Sequence, residues 1–220
     1  KNPPYHLKDS FDFEPMYPPQ EFILEESLRR LADRIAYQEN LMNRVVYDSI
    51  DLHVLQGEPP EGEIVPFYVP QSADDNTLIF ESRFESGNLR RAIQVYEYEY
   101  DLILKPDYNT RGYTQWYYFR VSNTKAGKNY RFNIINLIKP DSLYNHGMRP
   151  LMYSEAKPKR TAEAGLEQEM IYAIIKTHEE KELSYYYTLT WQCQFEHDKD
   201  TVYLSHSYPY TFTDMQRYLN

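Results

Sequence analysis

The chain has 220 residues, enough for one ordinary domain with an extension and a substantial core, and too few for a second full domain. Its 24 basic and 33 acidic side chains give a formal charge of −9, which excludes the electrostatics of a nucleic-acid binder and does not by itself draw in an acidic peptide. The 23 tyrosines and 10 phenylalanines against 7 glycines point to extended, aromatic-rich strands and a mostly β protein.

Residues 1–20 carry Pro3, Pro4, Pro15, Pro18 and Pro19 among aromatics and read as an extended arm. From Glu21 to about Tyr47, Leu24, Leu28, Leu31, Ile35, Met42 and Val45 recur at three- and four-residue steps, which predicts an amphipathic helix. Gln38 falls on that seam and the run is short, so packing on the host domain is favoured over a coiled coil. Residues 56–77, rich in Gly, Pro and acid, read as a linker, completing an amino-terminal region over 1–75.

The main domain, 76–207, opens near Leu78. Ser86-Gly87-Asn88 supplies a turn, and Arg91 to Leu104 reads as two strands with a break. Lys105 to Gly112 is dense in turn formers, after which Thr114 to Ser122 alternates Trp116, Tyr118 and Arg120 against Tyr117, Phe119 and Val121. Asn123-Thr-Lys-Ala-Gly127 reads as a hairpin loop returning into a strand over Asn129 to Ile138, with Gly127 supplying a positive φ. Further strands are expected over Leu151 to Ser154, Tyr185 to Phe195 and Thr201 to Ser207, with a turn over Glu196 to Asp200. The expected fold is an antiparallel β-sandwich with an amino-terminal helix and arm. Thr213-Asp-Met-Gln216 has the form of a capping box, so a helix is expected to begin there, within a bridge over 208–220.

Little here supports catalysis. Cys193, the one cysteine, lies in an apolar run and reads as an inert buried thiol. With no disulfide, no Asn-x-Ser/Thr acceptor, no signal-like apolar start and no membrane-length apolar run, the expectation is a cytoplasmic chain with no membrane partner. None of His6, His53, His146, His178, His197 and His206 is followed by Glu at the third position, so the His-x-x-Glu pattern of a zinc peptidase is missing. His6-x-x-Asp9 and His197-x-x-Asp200 lack an indicated third ligand, and His206 reads as a structural imidazole. Asp51 and the Glu58, Glu61 and Glu63 group read as solvated acid, and Arg149, Lys157, Lys159 and Arg160 as solvated loop charge.

Two runs, Phe80-Glu-Ser-Arg-Phe-Glu-Ser-Gly-Asn-Leu89 and Tyr130-Arg-Phe-Asn-Ile-Ile-Asn-Leu-Ile-Lys-Pro140, are too idiosyncratic for generic strand. With Gln115-Trp-Tyr-Tyr-Phe119, Lys139-Pro-Asp-Ser-Leu-Tyr-Asn-His-Gly-Met148 and Ser207-Tyr-Pro-Tyr-Thr211, they resemble the amino-terminal domain of cytosolic carboxypeptidases. The resemblance covers about residues 76–220. It departs over 155–183, where the family's Trp-x-Arg-x-Gly pattern is missing and Ile171 to Ile175 reads as the surviving strand. It implies no catalytic and no metal residue in this chain, with zinc held by an absent peptidase domain that removes glutamates from tubulin or other acidic tails. It also implies a chain cut off at Asn220, and a cytoplasmic location extending to microtubules or cilia.

Two functions follow. The first is a noncatalytic companion packed on that downstream peptidase domain, in contact through Lys139, Pro140, Tyr144, Met148, Tyr153, Tyr208, Pro209 and Tyr210, because aromatic and Met side chains anchor such interfaces. Core packing is an equal alternative for each. The second is an independent recognition module whose exposed tyrosines bind a protein or peptide.

Overall fold

The computed structural model describes residues 38–51, 55, 65–110, 113–139, 142–156, 173–178 and 185–220. The arm, the predicted helix through residue 37, Pro140, Lys157, Lys159, Arg160, His6 and His53 lie outside these residues.

Among the described residues ten strands follow one another: β1 Arg44–Asp48, β2 Ile79–Glu81, β3 Leu89–Tyr96, β4 Glu99–Leu104, β5 Tyr118–Ser122, β6 Asn129–Leu137, β7 Leu151–Ser154, β8 Ala173–His178, β9 Tyr185–Gln194 and β10 Val202–Ser205. They form a six-stranded sheet, β1-β3-β4-β6-β9-β8, and a four-stranded sheet, β2-β5-β10-β7. All pairs are antiparallel except β4 with β6. A helix, α1 (Phe212–Leu219), follows β10. The mainly β sandwich expected from the sequence is what forms.

Aromatic rings fill the space between the sheets. Phe80 and Phe119 from the smaller sheet meet Tyr100, Phe132 and Trp191 from the larger, with Phe132 and Trp191 stacked at 5.4 Å and Tyr117 on Trp191 at 5.7 Å. Removing this surface from water is the main favourable term, about 25 cal/mol per Å² of apolar area. At three core positions tyrosine rather than phenylalanine has a local cause. Buried hydroxyls accept backbone N–H groups where the ladders end: Tyr100 from Leu78 at 3.0 Å, Tyr47 from Ser82 at 3.1 Å and Tyr130 from Lys125 at 3.0 Å. For Leu78 the hydroxyl satisfies a donor that burial would otherwise strand, while Ser82 N–H also reaches Glu81 Oε1 and Lys125 lies at the surface.

Several expectations are corrected. The spacing predicts helix as far as Tyr47, yet Arg44–Asp48 is an edge strand on β3 in which Val46 and Tyr47 are fully buried. Residues 66–68, read as linker, lie on its other side: Asp48 N–H donates to Pro66 O at 2.9 Å and Tyr68 N–H to Val46 O at 2.7 Å. Asn123 to Gly127 is no hairpin. It carries the chain from β5 in the smaller sheet to β6 in the larger, and Glu196 to Asp200 makes the reverse crossing from β9 to β10. The two crossings hold each other. Thr124 Oγ1 donates to His197 O and accepts from Asp200 N–H, both at 2.8 Å, and Ala126 N–H donates to Asp198 Oδ1 at 2.7 Å. Asn123 itself takes a left-handed φ of 61° and ties its side chain to Asp75 O and Thr77 O at 2.9 Å.

The strand expected from Thr114 ladders only from Tyr118 to Ser122, with Tyr117, Phe119 and Val121 buried and Trp116, Tyr118 and Arg120 on the opposite side. In β3, bulges near both ends shift the alternation, so Leu89, Ala92, Gln94 and Val95 are the buried positions and Ile93 is not. The surviving strand of the 155–183 region runs over Ala173–His178 on β9, later than Ile171–Ile175.

Candidate interface surface

The predicted contact residues divide by position in the fold. Ser142 caps a 3₁₀ turn over Leu143–His146, accepting from Tyr144 N–H, and Gly147 at φ 89° ends it. This turn drives Tyr144 inward. Its side chain is 3% exposed, with its hydroxyl 2.7 Å from that of Tyr117 and 3.0 Å from Nδ1 of His206. Tyr144 therefore builds the end of the sandwich instead of presenting a surface, and burial raises its phenol well above the ordinary tyrosine range. Met148 packs partly on the same core. Lys139 is exposed beside a shallow crevice lined by Thr114, Tyr117, Ser142 and Leu189.

Tyr153 is half-exposed, Pro209 intermediate, and Tyr208 and Tyr210 are 73% and 65% exposed. These last two lead into α1. Its cap is Thr211, not Thr213: Thr211 Oγ1 accepts from Asp214 N–H at 3.1 Å while Asp214 Oδ2 accepts from Thr211 N–H at 3.1 Å. Hydrogen bonds from the Thr211 side chain and backbone hold the Asp214 carboxyl below its ordinary range. Thr213 N–H instead donates to Glu85 Oε1 at 2.9 Å, which fastens the helix start to the Phe84–Gly87 turn and lowers the Glu85 carboxyl in the same way.

The helix fastened there has no buried residue. Phe212, Met215 and Leu219 fall on one side, with Tyr218 flanking them, and Thr213, Asp214, Gln216 and Arg217 on the other. Phe212 is 60% and Leu219 72% exposed. Tyr208 and Tyr210, on the segment leading into the helix, add two more exposed rings to this end of the chain, a concentration unlike singly scattered exposed hydrophobics. The sequence reading missed the helical members because it began the helix two residues late; their three- and four-residue spacing was the available signal.

The described residues do not offer a zinc-fitting set: no group of three His, Cys, Asp or Glu side chains converges among them. Cys193 is buried and its thiol is pushed up to about 12 by burial. Asp200 spends its carboxylate on Ser154 Oγ at 2.5 Å and Ala156 N–H at 3.1 Å. His206 faces Tyr144, and burial lowers its pKa.

Residues 80–206 match the family model described as the cytosolic carboxypeptidase N-terminal domain. The chain belongs to that family. Among curated members, it is 41% identical over 220 residues to cytosolic carboxypeptidase 3 of Bos taurus, covering 99% of this chain and 20% of that protein. Cytosolic carboxypeptidase 2 of Mus musculus is 49% identical over 160 residues, covering 68% of this chain and 17% of its own length. The chain thus spans about a fifth of the length of the carboxypeptidases it matches. A solved metallo-carboxypeptidase from Pseudomonas aeruginosa overlaps 64% of this chain and 32% of its own at 17% identity and a TM-score of 0.40, too slight a likeness to bear on function.

Proposed function

We propose that this domain is a noncatalytic companion of a zinc carboxypeptidase domain in the same polypeptide, packing on it and supporting the cleft that removes glutamates from tubulin or other acidic protein tails. Family membership supports a parent peptidase, since the relatives are named carboxypeptidases and are about five times as long. The zinc and its water chemistry belong to the rest of that polypeptide, and the protein is cytosolic, with microtubules or cilia as its place of work.

The carrying observation is α1. A helix held at its start by both its own capping box and Glu85, yet burying none of Phe212, Met215, Tyr218 and Leu219, is built to be covered. The test is a Phe212→Ser, Leu219→Ser double variant. Its melting temperature in the 220-residue chain stays within a degree or two of the parent's, whereas in the full-length carboxypeptidase it falls by several degrees. An unchanged full-length protein refutes the assignment.

A further inference from the structure

The outward face of the four-stranded sheet carries an arrangement that the helix alone does not explain. Register places Glu81, Arg120, Tyr203 and Tyr153 directly opposite one another on β2, β5, β10 and β7, so their side chains form a single row across the sheet. Rings extend the row. Tyr203 lies 6.2 Å from Tyr153 and 6.0 Å from Tyr118, and Phe84 sits edge-on to Tyr118 at 4.9 Å and to Tyr203 at 6.0 Å. An antiparallel sheet with one solvated face ordinarily alternates polar residues outward. Here Tyr118, Tyr153 and Tyr203 stand among the outward positions and are only partly covered.

Arg120 is the anomaly in that row. Glu81, its cross-strand neighbour, is committed to Arg83 at 2.7 Å, and the Arg120 side chain makes no hydrogen bond or ion pair among the described residues. An arginine of intermediate exposure flanked by Tyr203 and Tyr118 is well suited to a carboxylate arriving from outside, with the rings excluding water around the pair. The adjacent residues Phe84 and Glu85 link this face to the helix: the ring packs on Tyr118 and Tyr203 while the carboxylate holds Thr213 N–H. The aromatic row and the exposed helix are therefore parts of one continuous surface.

We infer that the peptidase domain covers the outward face of the four-stranded sheet as well as α1, and that it presents a carboxylate to Arg120. This rests on the companion reading and adds which sheet is the interface and where its charged contact lies.

Hydroxyl-radical footprinting read by mass spectrometry tests it, comparing the 220-residue chain with the full-length carboxypeptidase. The expected result is at least threefold lower labelling of Tyr153, Tyr203 and Phe84 in the full-length protein, together with protection of Tyr208 and Phe212. An Arg120→Glu substitution should lower the melting temperature of the full-length protein by several degrees and leave that of the 220-residue chain alone. Protection of Tyr208 and Phe212 with the sheet face labelled equally in both overturns this inference and leaves the companion reading intact. Absence of protection at all five residues sinks both. Protection of the sheet face that grows with concentration in the 220-residue chain assigns it to a second copy and also overturns the inference, and an Arg120→Glu protein as stable as its parent removes the carboxylate contact.

Discussion

Tyr144 and His206 are joined across the end of the sandwich by a 3.0 Å contact between the phenol oxygen and Nδ1, although 62 residues separate them. The same phenol reaches Tyr117, whose ring stacks on Trp191 in the core. The point where the chain leaves β10 for α1 is therefore wired into the hydrophobic centre. Burial lowers the His206 pKa, so the folded state prefers the neutral imidazole. The sign follows: His206 costs nothing above its unfolded value near 6.5 and destabilises the fold as pH falls below it. Thermal melts at pH 7.5 and 5.5 are expected to show a loss of stability on acidification that shrinks in His206→Gln. Tyr144→Phe should cost about 1 kcal/mol at either pH.

Two buried tyrosines that look alike should respond differently to loss of the hydroxyl. Leu78 N–H has the Tyr100 hydroxyl as its acceptor, whereas Ser82 N–H has both Tyr47 and Glu81 Oε1, the latter at 2.9 Å. Tyr100→Phe leaves a buried donor unsatisfied and is expected to cost about 2 kcal/mol, with Tyr47→Phe nearer 1 kcal/mol. Urea denaturation of the two variants gives the order directly.

Gly87 is required by space and not by backbone angle. Ser86 takes the left-handed conformation of that turn, at φ 66°, while a Cβ on Gly87 would stand 2.2 Å from the Ser82 carbonyl oxygen. Gly87→Ala must push backbone apart and is expected to cost about 2 to 3 kcal/mol. Gly127 is the reverse case, with φ 69° and nothing within 4 Å of a Cβ. Gly127→Asn should cost well under 1 kcal/mol, since Asn tolerates that conformation. Equal losses for the two glycines would contradict the geometry.

The α1 cap depends on ionised carboxylates. Glu85 and Asp214 are both held below their ordinary range, by Thr213 N–H and by Thr211 respectively, so their contribution is present above the unfolded carboxylate range and disappears as pH falls through the lowered values. Thr211→Ala should fray the helix at a cost of about 1 kcal/mol to it, while Thr213→Ala leaves it in place. Backbone amide exchange at Met215 and Gln216 distinguishes them.

These features were unequally legible in the sequence. Leu151 to Ser154 and the start of β6 at Asn129 could be read closely because alternation and turn residues act locally. Which sheet each strand joins could not, because Asn123 to Gly127 has the same turn chemistry whether it closes a hairpin or crosses the roughly 10 Å between sheets. The deciding contact, Thr124 with His197 and Asp200, spans more than 70 residues. β1 was mistaken for helix because Met42 and Val45 happen to continue a three- and four-residue spacing, although Val45-Val46-Tyr47 is strand-like in composition. The cap was ambiguous in principle: Thr211-x-x-Asp214 and Thr213-x-x-Gln216 both satisfy the pattern. Asp214 wins as a full negative charge at the helix start, and Glu85, distant in sequence, occupies Thr213 N–H. Tyr144 was grouped with exposed contacts because nothing local reveals that its hydroxyl pairs with Tyr117.

In the proposed companion role the domain supplies support and not chemistry. Its most direct test is release of glutamate from a glutamate-ended peptide by three proteins at equal concentration: the 220-residue chain, the full-length carboxypeptidase, and the full-length Phe212→Ser, Leu219→Ser variant. The account predicts no release by the chain alone, full release by the parent, and a several-fold loss in the variant. Release by the 220-residue chain alone, or full activity in the variant, would contradict it.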